Sequence, residues 1–254
     1  MAILKRPPNA PSGAPSGAPL GAPPSDVPSG TPPDVPTSGA MTQSEASTLK
    51  PPSGFFWGLK ILFERIAALV IIVLISPLLL LITVAILISS GRPVLFAQPR
   101  FGRDALPFDI YKFRTMRADL CDVSGAGQTS DRDPRITKVG MILRKTSVDE
   151  LPQLFNVLLG DMNIIGPRAH PCGMEVNGVL CEQVDERYQA RHLIAPGITG
   201  WAQVNGSRGA VKSARSLERR VSLDLWYIKH WSLWLDLRIC FKTLGVLIHR
   251  DKGQ

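Results

Sequence analysis

Asp149 and Glu150 are adjacent carboxylates, followed directly by Leu151-Pro152-Gln153. Two neighbouring acids can supply a nucleophile and a ligand for hard Mg²⁺, which takes one or two carboxylates together with substrate phosphate. The same spacing also fits a structural role. Ser147-x-x-Glu150 matches a capping box opening a helix over residues 147–159 that Gly160 stops, and acids complement a helix N-terminus. On spacing alone both roles stand. Basic residues surround the pair in sequence. Lys112 and Arg114 alternate with Tyr111 and Phe113 on a predicted strand, so strand periodicity puts both on one face. Arg144 and Lys145 precede the acids, and Arg168 follows Gly166-Pro167. Guanidinium forks suit phosphate oxygens, although a basic surface held near anionic lipid would use the same residues.

Other residue types offer less. Cys121, Cys172, Cys181 and Cys240 form no CxxC pair and read as reduced structural thiols, and the four histidines lack metal-ligand spacing. No GxxxxGK[ST] loop or GxGxxG–helix unit occurs, which argues against a P-loop or dinucleotide-binding site. The net charge of +8 could suggest nucleic acid, but the basic residues flank an apolar run and an acidic pair, and no nucleic-acid fold signature is present.

The elements that must position these residues divide the chain. Residues 1–54 hold 13 of the 22 prolines and carry no net charge, so all of the +8 lies in the following 200 residues. Pro/Ser/Gly/Ala units repeat over 7–40, and residues 1–54 read as a disordered Pro-rich tail, a spacer or a docking arm. Residues 66–88 are uncharged and long enough as a helix to cross a bilayer core, yet Ser76-Pro77 interrupts their middle. Lys60 and Arg65 precede the run and Arg92, Arg100 and Arg103 follow it. Two basic flanks favour a re-entrant helix-break-helix that returns both ends to one side. Beyond it, Val94-Leu95-Phe96 and Phe108 to Phe113 read as a β-hairpin around Gly102-Arg103-Asp104. Residues 118–137 read as a loop, 175–192 as helical, 196–209 as glycine-rich, and 223–248 as two helical pieces with Ser232 a cap. Trp226, Tyr227, Trp231 and Trp234 mix there with Lys229, His230, Arg238 and Lys242, as in a helix lying in the lipid interface or in a core helix with one wet face.

Several longer motifs then occur in order: Tyr111-Lys112-Phe113-Arg114-Thr115-Met116, Leu143 through Leu154 around the acidic pair, Asn156-Val157-Leu158-Leu159-Gly160-Asp161-Met162, Ile165-Gly166-Pro167-Arg168, and Pro196 through Val204. Over about residues 55–254 the chain resembles the bacterial sugar transferase family, the monotopic phosphoglycosyl transferases. The resemblance implies an α+β, mostly helical fold: a re-entrant membrane helix over 55–90, then a cytoplasmic catalytic domain over 91–254 with a small β-hairpin and interfacial amphipathic helices. It also implies a reaction, transfer of a sugar-1-phosphate from a UDP-sugar to undecaprenyl phosphate with release of UMP, at the cytoplasmic face of the bacterial inner membrane.

By the same resemblance, Asp149 is the nucleophile that forms an aspartyl phospho-sugar and Glu150 holds Mg²⁺. Lys112, Arg114, Arg144, Pro167 and Arg168 contact phosphate or nucleotide, Asp224 is a further active-site acid, and Ser76-Pro77 is the membrane break. A carboxylate at a helix N-terminus is expected to stay ionised near neutral pH. The chain departs from the family pattern at Ala169, where a second proline is common, and at Ile61, where a cation is common. Segments near Tyr188, Asn205 and Trp231 resemble members that prime exopolysaccharide with a hexose phosphate, glucose first and galactose second. Inner-membrane lipid is an expected partner, a homo-oligomer is compatible, and nucleic acid is not expected. Two other readings use the same residues: a non-catalytic membrane scaffold of this fold, and a membrane-anchored hydrolase.

Overall fold

The structure, a computed structural model, is described for residues 3–4, 41–117 and 133–249. The expected disordered tail falls mostly on residues outside these. Residues 41–54 are within the described part. Thr42 caps the short helix α1 (Gln43–Ser47) in a capping box with Glu45, and Met41 and Ala46 are buried in the main apolar cluster. Ile3–Leu4 (β1) pairs in parallel with the strand starting at Leu95. Met41 and Ala46 seat residues 41–47, an attachment that composition does not mark.

Helix α2 (Phe55–Ser90) runs 36 residues, about 54 Å at 1.5 Å per residue. It is long and apolar enough to cross a membrane. It continues through Ser76-Pro77 where a break was expected. Pro77 has no N–H to offer the carbonyl of Val73, four residues back. The Ser76 hydroxyl donates to that carbonyl instead, at 2.8 Å. A side-chain donor thereby replaces the lost backbone bond, and the helix survives its proline.

One stripe of α2 faces the rest of the protein along its whole length. Lys60, Glu64, Ala68, Ile82 and Ile86 are buried, with Ile72, Ile75 and Leu79 partly so between them. Their spacing of three or four is that of a single helix face. The opposite face exposes large apolar side chains, including Phe63, Leu74, Leu81 and Ile88. A face this apolar and this long suits contact with lipid.

The expected hairpin is present. Strands β2 (Leu95–Phe101) and β3 (Pro107–Phe113) pair antiparallel around a tight turn at Arg103–Ala105. Helix α3 (Lys138–Thr146) follows, then a short 3₁₀ turn (Val148–Glu150) and α4 (Gln153–Leu159). Asn156 on α4 ties itself to β3: its Oδ1 accepts from the Tyr111 N–H and its Nδ2 donates to the Asp109 carbonyl. That pair fixes the register of Lys112 against the 3₁₀ turn.

Strand β4 (Asn163–Ile165) pairs in parallel with a later strand, Gly197–Thr199. Between them, 175–192 was expected to be helical. Its first third is a hairpin, β5 (Glu175–Val176) and β6 (Val179–Leu180), and only the remainder is helical, as one turn α5 (Cys181–Val184) and a 3₁₀ segment (Tyr188–Leu193). Asn177-Gly178 supplies two consecutive positive-φ residues, at 55° and 78°, as a two-residue hairpin turn requires. That dipeptide is a hairpin signal, and the charges around it hid it.

The strand Gly197–Thr199 is β7, followed by α6 (Trp201–Val204), α7 (Ala214–His230) and α8 (Leu233–His249). The two-piece C-terminal helix is as expected, with the Ser232 hydroxyl accepting from the Leu235 N–H at the start of α8. Leu217, Val221, Leu225, Ile228, Leu235 and Ile239 on these helices are buried in the main cluster. Leu233, Leu237, Phe241 and Leu244 remain exposed along one face of α8.

A polar anchor ties α2 to this body. Buried Lys60 bonds Glu64, the Ile165 carbonyl and Asp236, and Glu64 accepts from the Ile164 and Ile165 N–H groups. Asp236 also accepts from the Tyr227 hydroxyl and the Trp231 indole. Each charge in the anchor has partners, as burial demands.

Candidate active site

The acidic pair sits on the 3₁₀ turn, and the backbone there settles the structural alternative. Ser147 adopts the left-handed conformation (φ 59°) that ends α3, and it makes no side-chain cap bond to the turn. The capping box is therefore not formed. Glu150 points instead to two cations: Lys112 Nζ lies 2.8 Å from Oε1 and Arg168 Nη2 2.6 Å from the same oxygen, with Arg168 Nη1 3.4 Å from Oε2. Residues from β3, the 3₁₀ turn and the loop after β4 meet at one carboxylate.

Arg168 owes its place to backbone packing. Gly166 and Gly197 approach so closely that a Cβ on Gly197 would lie 2.1 Å from the Gly166 nitrogen and 2.6 Å from the Thr199 carbonyl. Only glycine fits. The Gly197 N–H donates to the carbonyl of buried Pro167, next to Arg168. Gly197→Ala is expected to cost about 2–3 kcal/mol, since backbone rather than a flexible side chain would have to move. Thermal unfolding in detergent measures this, and a wild-type melting temperature would contradict it.

Behind Arg168 lies a buried polar layer. Arg191 donates from Nε to Asp224 at 2.8 Å, from Nη2 to the Arg168 carbonyl at 2.9 Å and from Nη1 to His170 Nδ1 at 3.1 Å. The Tyr188 hydroxyl also meets His170 Nδ1. Burial and the nearby Arg191 and Arg220 guanidinium groups push His170 well below the usual imidazole range, so the ring is neutral. Asp224 is 1 % exposed. It reaches the acidic pair only through Arg191 and Arg168.

The other expected residues divide. Arg144 ends α3, and its charge favours ionisation of Asp149. Arg114 does not join Lys112. The strand ends at Phe113, and the Arg114 guanidinium turns to the end of α2, donating to the Ser90 carbonyl at 2.7 Å and the Gly91 carbonyl at 2.8 Å. It caps the orphan carbonyls of that helix. The Ala169 carbonyl accepts from Arg100 Nη1 at 3.0 Å. Arg100 is a residue that sequence reasoning assigned only to a membrane flank. It joins Lys112 and Arg168 in lining a small pocket beside the acidic pair. Strand alternation on β2 places it opposite Phe108, but nothing local to Arg100 announces a pocket.

The electrostatics separate the two acids. Burial works against ionisation of Glu150, but Arg168 and Lys112 overcome it and hold the carboxyl far below its usual range. Burial pushes Asp149 up, with Glu150 adding to it and Lys112 and Arg144 opposing. The expected helix-dipole effect is therefore not what governs Asp149. One carboxylate is fixed as an anion; its neighbour titrates higher. Divergent environments of this kind mark paired acids with different tasks. Among the described residues no cluster of three acid, histidine or cysteine ligands occurs.

This arrangement has known relatives. The family profile described as bacterial sugar transferase matches residues 55–250. The chain belongs to the bacterial sugar transferase family. Among similar sugar transferases, an undecaprenyl-phosphate glucose phosphotransferase of Komagataeibacter xylinus is 48 % identical over 72 % of this chain and 34 % of its own. An exopolysaccharide production protein, PSS, of Rhizobium leguminosarum bv. phaseoli is 45 % identical over 77 % of this chain and 98 % of its own. A UDP-glucose:undecaprenyl-phosphate glucose-1-phosphate transferase of Escherichia coli is 45 % identical over 76 % and 41 %. This sugar transferase thus spans well under half of two of these relatives and nearly all of the third.

Proposed function

We propose that the protein transfers a sugar-1-phosphate from a UDP-sugar to undecaprenyl phosphate and so primes exopolysaccharide synthesis. Glucose is the favoured sugar, because relatives from several bacteria carry that activity in their names. The observation that carries the reading is Glu150 held between Lys112 and Arg168, with the higher-titrating Asp149 beside it at a cation-lined pocket.

In this reading an Asp149 carboxylate oxygen attacks the phosphorus that bears the sugar. The diphosphate P–O bond breaks, its electron pair leaves with UMP, and an aspartyl phospho-sugar remains. An oxygen of undecaprenyl phosphate then attacks the same phosphorus and Asp149 leaves as the carboxylate. Covalent catalysis lets a soluble nucleotide and a lipid react in turn. Lys112 and Arg168 bind the phosphoryl oxygens and offset the charge that an anionic nucleophile meets. The donor set suits Mg²⁺ only with substrate present: two adjacent carboxylates meet its need for one or two, and phosphate oxygens complete it. Glu150 would hold the ion, which when bound would neutralise diphosphate charge.

The reading places the protein at the cytoplasmic face of the inner membrane. Both halves of α2 pack along the same domain, which supports both ends lying on one side although the helix does not break at Ser76-Pro77. Cysteine labelling near Lys50 and near Arg103 should report the same side; opposite sides would make α2 a true span.

A panel of UDP-sugars with undecaprenyl phosphate tests the reaction, following UMP and lipid-linked product. Free sugar phosphate without lipid-linked product would point to a hydrolase, and no turnover of any donor would leave only a scaffold. The pH profile carries a sign. Attack needs the Asp149 carboxylate, and its pKa lies above the ordinary 3.8, so kcat/KM should fall in acid through a limb above that value. A limb at or below 3.8 would remove Asp149 from the rate-determining ionisation.

A further inference from the structure

Gln153 opens α4, four residues beyond Asp149, and is 1 % exposed. It lines the same pocket as Arg100, Lys112 and Arg168. Its Nε2 is buried and has no hydrogen-bond partner among the described residues. A buried amide donor without an acceptor is costly, and native proteins seldom keep one without a use.

The charges of the pocket say what would satisfy it. Among the described residues Arg100 bonds neutral acceptors, the Gln98 amide oxygen and the Ala169 carbonyl. Lys112 and Arg168 share the single carboxylate of Glu150. Three cations therefore meet two carboxylates, Glu150 and the neighbouring Asp149, and the remaining positive charge favours an oxyanion beside the Gln153 amide.

We propose that Gln153 is a substrate-binding residue whose Nε2–H donates to a phosphoryl oxygen of the nucleotide-diphosphate donor, in the pocket walled by Arg100, Lys112 and Arg168. The proposal rests on the transferase reading above and adds a neutral donor to its cationic contacts. A neutral donor can direct one particular oxygen without adding to the charge that must be released with product.

The test uses the full chain in detergent, with UDP as the binding probe and UDP-glucose as the turnover probe. A hydrogen bond to an anion contributes roughly 10–100-fold in affinity. Gln153→Met, similar in length and unable to donate, should weaken UDP binding by about that factor and lower kcat/KM for UDP-glucose alongside. Gln153→Glu separates a binding role from a packing role. Its carboxylate would pair with the surplus cations, so the variant should melt at or above the wild-type temperature while binding UDP at least about 10-fold more weakly. A pocket that takes no phosphate would lose no UDP affinity to the added charge, and Gln153→Met then reports the amide donor itself. Wild-type UDP affinity in Gln153→Glu, or in Gln153→Met at an unchanged melting temperature, overturns the proposal. Absence of turnover by the wild type with every UDP-sugar is a different result: it removes the transferase reading, and UDP binding then decides the Gln153 contact by itself.

Discussion

Asp149→Asn should lose on the order of 10⁴-fold or more of kcat, because the change removes the attacking oxygen anion while keeping shape and volume. The fold should not follow it down. Among the described contacts Asp149 closes no ion pair; the ion pairs at the turn belong to Glu150. Melting temperature should therefore stay near wild type while UMP release disappears. The two acids are thus separable by experiment. Removing Glu150 would leave Lys112 and Arg168 without their counter-charge and weaken the site as a structure, whereas removing Asp149 weakens only its chemistry. Turnover within a few-fold of wild type in Asp149→Asn would dismiss the covalent route.

Asp224→Ala should act in the opposite order, on the fold first. Its partner Arg191 is 1 % exposed, and breaking a fully buried pair by deleting one member costs about 3–5 kcal/mol, since the remaining charge has nowhere to go. Arg191 also holds the Arg168 carbonyl, so what survives unfolding should bind UDP poorly. Combining it with Arg191→Met should recover much of the lost stability, because no orphan charge remains, yet should not recover binding. Unfolding followed in detergent for the two single variants and the double variant measures the coupling. Simple additivity would mean that the pair is not the unit described here.

Sequence carried the local features well and the tertiary ones unevenly. The β2–β3 hairpin was legible because alternation and a Gly-Arg-Asp turn are nearest-neighbour signals. The division between α7 and α8 was legible because Ser232 caps. The acidic pair was visible as chemistry, but spacing could not decide against a capping box, since the outcome turns on one left-handed residue, Ser147. Arg114 was placed wrongly by a strand rule that held until Phe113 and no further. Ser76-Pro77 was taken as a break on the basic flanks of the run and on the resemblance, and the serine hydroxyl that lets the helix continue is visible only in three dimensions. Arg100 and Gln153 could not have been found locally. They enter the pocket because β2 crosses behind the loop after β4 and because α4 begins inside the site.

The stripe along α2 bears on how the molecule can be handled. Ala68 belongs to one apolar cluster, Ile82 and Ile86 to another, and Lys60 and Glu64 to the anchor beneath β4. Excising residues 55–90 to obtain a water-soluble catalytic fragment would uncover Val157, Met162, Phe113 and Leu143 and strand Asp236 without its lysine. The long apolar helix is thus a wall of the domain that carries the acidic pair. Removing the helix to gain solubility would dismantle the protein, because its buried stripe is part of the packing that holds the domain together.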